Sequence, residues 1–129
     1  MQAQVVIKRA YEEPSRSDGY RVLVDRVWPR GRTRDELALD AWMPNLAPSA
    51  ALREWFGHDP GRWEEFRKRY ERELARPEQE QQLRALLAAA KDRRVTLVYG
   101  AKDEERNQAV VLRDILLSMQ AKSAPKRRG

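Results

Sequence analysis

The sequence predicts an α/β fold: a small, mostly parallel β-sheet of three to four strands covered by helices on both faces. Three observations carry that expectation. Residues 22–24 and 95–98 are continuous apolar runs, not alternating ones, as in strands buried on both faces. Amphipathic helical repeats lie between and after them, the order that builds a parallel sheet. The 129 residues amount to 15.1 kDa, enough for one core and too few for two. Residues 1–121 therefore form a single α/β domain, and residues 122–129 a disordered basic tail with almost nothing to bury.

The elements follow in order. Val5-Val-Ile7 is a short β-branched run, and Tyr20-Arg-Val-Leu-Val24 is a second strand entered through the Asp18-Gly19 turn. Thr33-Arg-Asp-Glu36 is a capping box and starts a short helix. Ser49 caps another helix through Leu52, Trp55 and Phe56; Asp59, with Pro60 in the first helical position, starts a third. In that third helix Trp63, Phe66, Tyr70 and Leu74 share one stripe, and Glu64 with Lys68 and Glu65 with Arg69 pair on the other side. Leu83, Leu86, Leu87 and Ala90 repeat the pattern after Pro77 and lead into a strand over residues 94–99, ended by Gly100. The last helix runs from about Glu104 to Gln120 with Asp103 as its cap, burying Ala109, Leu112, Ile115, Leu116 and Met119. The aromatic stretch from Trp55 to Trp63, with Trp42 before it, reads as one wall of the core.

Composition removes several classes of function. The chain has no Cys, so disulfides, thiolate–metal sites and a cysteine nucleophile are excluded, and the single His58 cannot hold zinc by itself. No metal or cofactor is expected: neither a Gly-x-Gly-x-x-Gly nor a P-loop pattern occurs. No window reaches the roughly 18 apolar residues of a membrane span, and Met1 to Lys8 lack the order of a signal peptide, so the expected setting is cytoplasmic with no membrane partner. Net charge is +6 with a pI near 10.0. Lys122, Lys126, Arg127 and Arg128 carry four of those charges in the tail, which leaves the body at +2 and does not favour a nucleic-acid partner.

A second basic concentration lies inside the fold. Arg21, Arg26, Arg30, Arg32 and Arg34 stand against Asp25 alone within residues 21–34. In an open α/β sheet the segments leaving the carboxyl ends of parallel strands line a crevice. Two such segments are Asp25-Arg-Val-Trp-Pro-Arg-Gly31 and Tyr99-Gly-Ala-Lys-Asp103, the latter followed by Asn107 and Gln108. If their strands are parallel neighbours, the segments meet. Asp25 ends an apolar strand, so a cation such as Arg26, Arg30 or Lys102 should sit beside it, either as a structural ion pair or as part of a site. Arg26 and Arg30 present bidentate forks to phosphate or carboxylate, and Trp28 offers a stacking face. His58 is a general base if it reaches the crevice, and otherwise a loop-end hydrogen bonder. The expected partner is a small anionic ligand. Catalysis on it and a regulatory or nucleic-acid-binding role remain open alternatives.

Three separated motifs, Tyr20-Arg-Val-Leu-Val-Asp-Arg-Val-Trp-Pro-Arg-Gly31, Trp55-Phe-Gly-His-Asp-Pro60 and Tyr99-Gly-Ala-Lys-Asp-Glu-Glu-Arg-Asn107, give the chain its resemblance to a known family. Over about residues 4–120 it resembles the YeaO-like branch of the domain-of-unknown-function 488 family. Longer members carry a Cys at the end of the last core strand and a Cys-His-Arg run at the next helix start. Here Tyr99 and Asn107-Gln-Ala109 stand at those places, so thiol chemistry does not carry over. The resemblance implies Asp25, Tyr99 and Lys102 as candidate catalytic residues and Arg26, Trp28, Arg30, Asp103 and Asn107 as candidate ligand contacts.

Overall fold

Residues 95–99 are buried without a break because they form the centre of the sheet. In the computed structural model, which describes residues 4–123, the strands are β1 (Val5–Arg9), β2 (Tyr20–Leu23), β3 (Ala41–Trp42) and β4 (Val95–Tyr99). Their spatial order is β1-β4-β2-β3, and every neighbouring pair is parallel. Val95 stands opposite Val5 on one side and Tyr20 on the other. The turn into β2 requires Gly19: its φ is 68°, and a Cβ there would come within 2.2 Å of the Arg94 carbonyl oxygen.

The helices are α1 (Arg34–Leu37), α2 (Ala50–Phe56), α3 (Trp63–Leu74), α4 (Pro77–Ala90) and α5 (Gln108–Ser123). Alternation of side chains along the strands divides the interior in two. Val95, Leu97 and Tyr99 join Val22 and Val24 beneath α2 to α5, where Leu52, Phe56, Phe66, Tyr70, Leu83, Leu86, Leu112 and Leu116 complete the main core. Leu23 and Val98 point the other way, onto Ala10 and Leu37 of α1, with Trp28 and Leu39 at the margin. Both faces are covered, but unequally: one by four helices, the other by a single helical turn and its flanking loops. Among the described residues no helix is long and apolar enough to cross a membrane.

A buried charge cluster anchors the thinner face. The Asp18 carboxylate accepts from Arg21 at 2.7 Å and from Lys8 at 3.1 Å, while the same arginine donates to the Leu37 carbonyl at 2.7 Å. Burial alone pushes the Asp18 carboxyl up. The Ser15 amide, Lys8 and Arg21 outweigh that effect and hold it below the usual carboxylate range.

The capping box forms as expected: Glu36 N–H donates to Thr33 Oγ1 at 3.1 Å and Thr33 N–H to Glu36 Oε1 at 2.8 Å. Four details differ from expectation. The edge strand β3 has no β-branched run to announce it; it exists because Asp40 N–H and Met43 N–H reach the carbonyls of Arg21 and Leu23, at 2.8 and 2.9 Å. Trp42 is not core: on that edge it is 43% exposed, with its ring 5.5 Å from that of Trp28. Residues Pro60–Arg62 form a 3₁₀ turn before α3 begins. Finally, α5 starts at Gln108, because Asp103 uses its carboxylate on the amides of Glu105 and Arg106 in a local turn. Asn107 is the true cap, its Oδ1 accepting from Val110 N–H at 3.1 Å. α5 also runs through Ser123, two residues into the segment assigned to the tail; residues 124–129 of that segment lie outside the described residues.

Candidate functional site

The chain segments leaving β2 and β4 emerge side by side, since the strands are parallel neighbours and Val24 N–H donates to the Val98 carbonyl at 3.0 Å. Just past that bond lies a cavity of about 330 Å³. Asp25 and Trp28 line it from the β2 exit, Gly100 and Ala101 from the β4 exit, and Phe56 and Phe66 from α2 and α3. The two phenylalanine rings stack with centroids 4.3 Å apart. Arg26, Arg53, Arg106 and His58 add the basic groups, and Asp25 is the one carboxylate among the described lining residues.

Asp25 accepts two hydrogen bonds: Gly100 N–H donates to Oδ2 at 2.9 Å, and the Gln108 side-chain amide donates to Oδ1. Gly100 is what permits the first of these. A Cβ there would lie 3.0 Å from Asp25 Oδ2, tighter than ordinary contact allows. Burial raises the carboxyl from its ordinary 3.8 to about 6, against the opposing pull of the Gly100 and Gln108 hydrogen bonds and of the Arg53 charge. The cation expected beside Asp25 is not Arg26, Arg30 or Lys102. No described cation forms an ion pair with it. Two neutral donors stand in that place, because the β4 exit brings a backbone amide and the first residue of α5 against the carboxylate.

The other candidate residues divide into two groups. Arg26, Trp28 and Asn107 line the cavity. The Arg26 guanidinium donates to the carbonyls of Ala47 and Pro48 at 3.3–3.4 Å, holding the loop before α2 against the β2 exit. Trp28 Nε1 donates to the Arg32 carbonyl at 2.6 Å, which fixes the indole in the wall. Asn107 is buried, and its amide meets the Asp103 carbonyl, the Val110 amide and the Tyr99 phenol, so it shapes the start of α5.

Arg30, Lys102, Asp103 and Tyr99 are not among the lining residues. Arg30 and Lys102 are exposed. Asp103 closes the turn described above, and its carboxyl lies below the usual range through hydrogen bonds from the Glu105 and Arg106 amides. Tyr99 is a core residue, 1% exposed, whose phenol is raised by burial first and by the charges of Glu104 and Glu12 next.

Arg53, Arg106 and Gln108 reach the cavity without having been singled out. Arg53 precedes Phe56 by three residues on α2, so one helix face carries the guanidinium and the ring together. That spacing is a signal available in the sequence. Gln108 belongs to the first turn of α5, beside Asn107. Nothing in the sequence marks Arg106. His58 lines the cavity from the turn after α2; with Gly57 it forms a left-handed pair, at φ 53° and 58°. Among the described residues no group of three or more His, Cys, Asp or Glu side chains is arranged to hold a metal.

Residues 4–128 match the family profile described as the inactive DUF488-N3 subclade. The chain is 45% identical over 112 residues to a protein from Escherichia coli (strain K12) called "Uncharacterized protein YeaO", covering 87% of this chain and 96% of that one. It is 38% identical over 115 residues to "Uncharacterized protein Mb3100c" of Mycobacterium bovis and to "Uncharacterized protein Rv3073c" of Mycobacterium tuberculosis, covering 89% of this chain and 95% of each. No solved structure matches it. With a profile match over almost its whole length and these relatives at 38–45% identity, the chain belongs to the inactive DUF488-N3 subclade.

Proposed function

We propose that the chain binds a small carboxylate- or phosphate-bearing molecule in the cavity between the β2 and β4 exits and does not turn it over. The observation that carries this reading is the charge of the wall: Arg26, Arg53 and Arg106 line the cavity with one carboxylate, that of Asp25. Guanidinium groups against aromatic walls suit an anion with an organic body. Arg53 is the principal anchor, because Arg26 is engaged with backbone carbonyls and Arg106 is paired with Asp103 at 3.5 Å. Arg53 forms no ion pair among the described residues.

Two features support binding without turnover. The described lining offers no Ser, Thr, Cys or Lys side chain to attack a substrate, and its Asp25, His58 and Tyr11 are not hydrogen-bonded to one another as a nucleophile and its base. The subclade is also described as inactive.

The test is a calorimetric and thermal-shift screen of small carboxylates and phosphate esters against the wild type and Arg53→Gln. A charge-assisted hydrogen bond contributes about 1.5–3 kcal/mol, so the variant loses affinity on the order of 10- to 100-fold for any ligand held there. Equal affinity in both proteins removes Arg53 as the anchor. A screen without binders removes the reading.

A further inference from the structure

The cavity carries one feature that a simple anion does not satisfy. The Asp25 carboxylate lines it and forms no ion pair among the described residues. Its two hydrogen bonds, from Gly100 and Gln108, occupy about two of the four acceptor positions of an ionised carboxylate. An anionic ligand drawn in by the arginines must settle beside this negative charge. Either Asp25 takes up a proton, or the ligand brings a positive charge of its own.

We propose that the ligand is a zwitterion of the α-amino-acid kind, its carboxylate held by Arg53 and its ammonium by Asp25, with an apolar side chain against Phe56, Phe66 and Trp28. This assignment rests on the anion-binding reading above and narrows it to one chemical class.

Three observations converge on it. First, the two opposite charges lie on different elements, Arg53 on α2 and Asp25 at the β2 exit. Both line the same cavity, yet they do not pair directly. A molecule with its own two charges side by side bridges such a gap. Second, among the described residues the donors to the Asp25 carboxylate are a backbone amide and a neutral side-chain amide, so its charge is solvated but not neutralised. A half-buried carboxylate in this state gains from an ammonium group more than a fully water-exposed one does. Third, the remaining wall is apolar and aromatic, and about 330 Å³ suits a ligand at the small end of the usual range.

The other charged or titratable groups of the lining, Arg26, Arg106, His58 and Tyr11, are basic or neutral and offer an ammonium no second acidic partner. Asp25 is therefore the specificity-determining residue. It separates amine-bearing anions from their desamino counterparts.

The experiment uses matched pairs on the full chain by calorimetry at pH 7.5: L-alanine with propionate, L-leucine with 4-methylpentanoate, and L-phenylalanine with 3-phenylpropionate. Each probe is titrated into wild type, Asp25→Asn and Arg53→Gln. Asparagine keeps the bond from Gly100 N–H and donates to Gln108 once that amide turns its oxygen inward, and thermal melts confirm that each variant is folded. In at least one pair the amine-bearing member binds wild type 10-fold or more tighter than its partner. Asp25→Asn removes that preference, weakening the amino acid at least 10-fold while leaving the desamino acid equal or tighter. Arg53→Gln weakens both members.

If the desamino acid binds as well as the amino acid in every pair, or if Asp25→Asn leaves the amino acid unaffected, the zwitterion assignment falls. Anion binding then stands, provided that Arg53→Gln still weakens it. If no member of any pair binds and the wider screen is also empty, both proposals fall.

Discussion

Replacing Asp25 with Asn should make the protein more stable at neutral pH. The gain is calculable. Burial lifts the folded-state pKa from 3.8 to about 6, a carboxyl that the folded chain prefers to keep protonated. Below pH 3.8 both folded and unfolded chains carry the proton, so ionisation costs nothing. As pH rises through about 6 the folded chain must ionise the group against its surroundings, and the stability that protonation supplied is lost. At about 1.4 kcal/mol per pKa unit the full penalty is about 3 kcal/mol. Asparagine keeps the bond from Gly100 N–H and meets Gln108 through the oxygen of a turned amide, but it never ionises. Urea unfolding of wild type and Asp25→Asn, compared between pH 4 and pH 8, isolates the effect because other groups titrate alike in both proteins. The stability difference should grow by about 2–3 kcal/mol across that range in favour of the variant. A difference that does not change with pH refutes the reasoning, as does a variant that becomes relatively less stable at high pH.

Asp18→Asn should have the opposite effect, a loss of about 3–5 kcal/mol, because it strands the buried Arg21 and its neighbour Lys8. The same carboxyl, with its lowered pKa, supplies stability above pH 3.8 that disappears as pH falls, and urea midpoints across acidic pH read both effects. Gly100→Ala pushes a Cβ against Asp25 Oδ2 and should cost about 1–3 kcal/mol in urea unfolding; an unchanged midpoint would mean that the carboxylate moves aside freely. Tyr70→Phe deletes the buried donor to the Leu46 carbonyl beneath the Ala47–Pro48 loop that Arg26 also holds. A loss of about 1–3 kcal/mol is expected, and a neutral result would show that water takes the hydroxyl's place.

The parallel sheet was readable in the sequence because burial on both faces leaves a mark that loops do not: residues 95–98 and 22–24 have no polar alternation to spoil. The meeting of the two strand exits follows from parallel pairing and needed no side-chain information. The two-residue β3 left no such mark, since its place is set by hydrogen bonds from Asp40 and Met43 to a strand nearly twenty residues earlier. Around the cavity, composition pointed to arginine and the strand end to Asp25; Asp25 and Arg26 line it, and Arg30 does not. Which arginines face inward depended on helix phase and loop closure. Arg53 lies at the cavity mouth because it shares a face of α2 with Phe56; it is exposed, as Arg30 and Lys102 are, but those two sit on loops that do not line the cavity. The start of α5 lies four residues later than expected because Asp103 and Asn107 are both good caps, and only tertiary closure shows that the first one caps a turn.

The most direct test of the central claim, that the β2 and β4 exits share one ligand site, is an NMR titration of the isotope-labelled full chain with its tightest-binding carboxylate. Saturable shifts are expected at the Gly100 amide, the Gln108 side-chain amide and the Arg53 Nε–H, with Arg93 and Arg94 at the opposite end of β4 unmoved. Saturable shifts that leave those three signals untouched and gather elsewhere on the surface would contradict that claim.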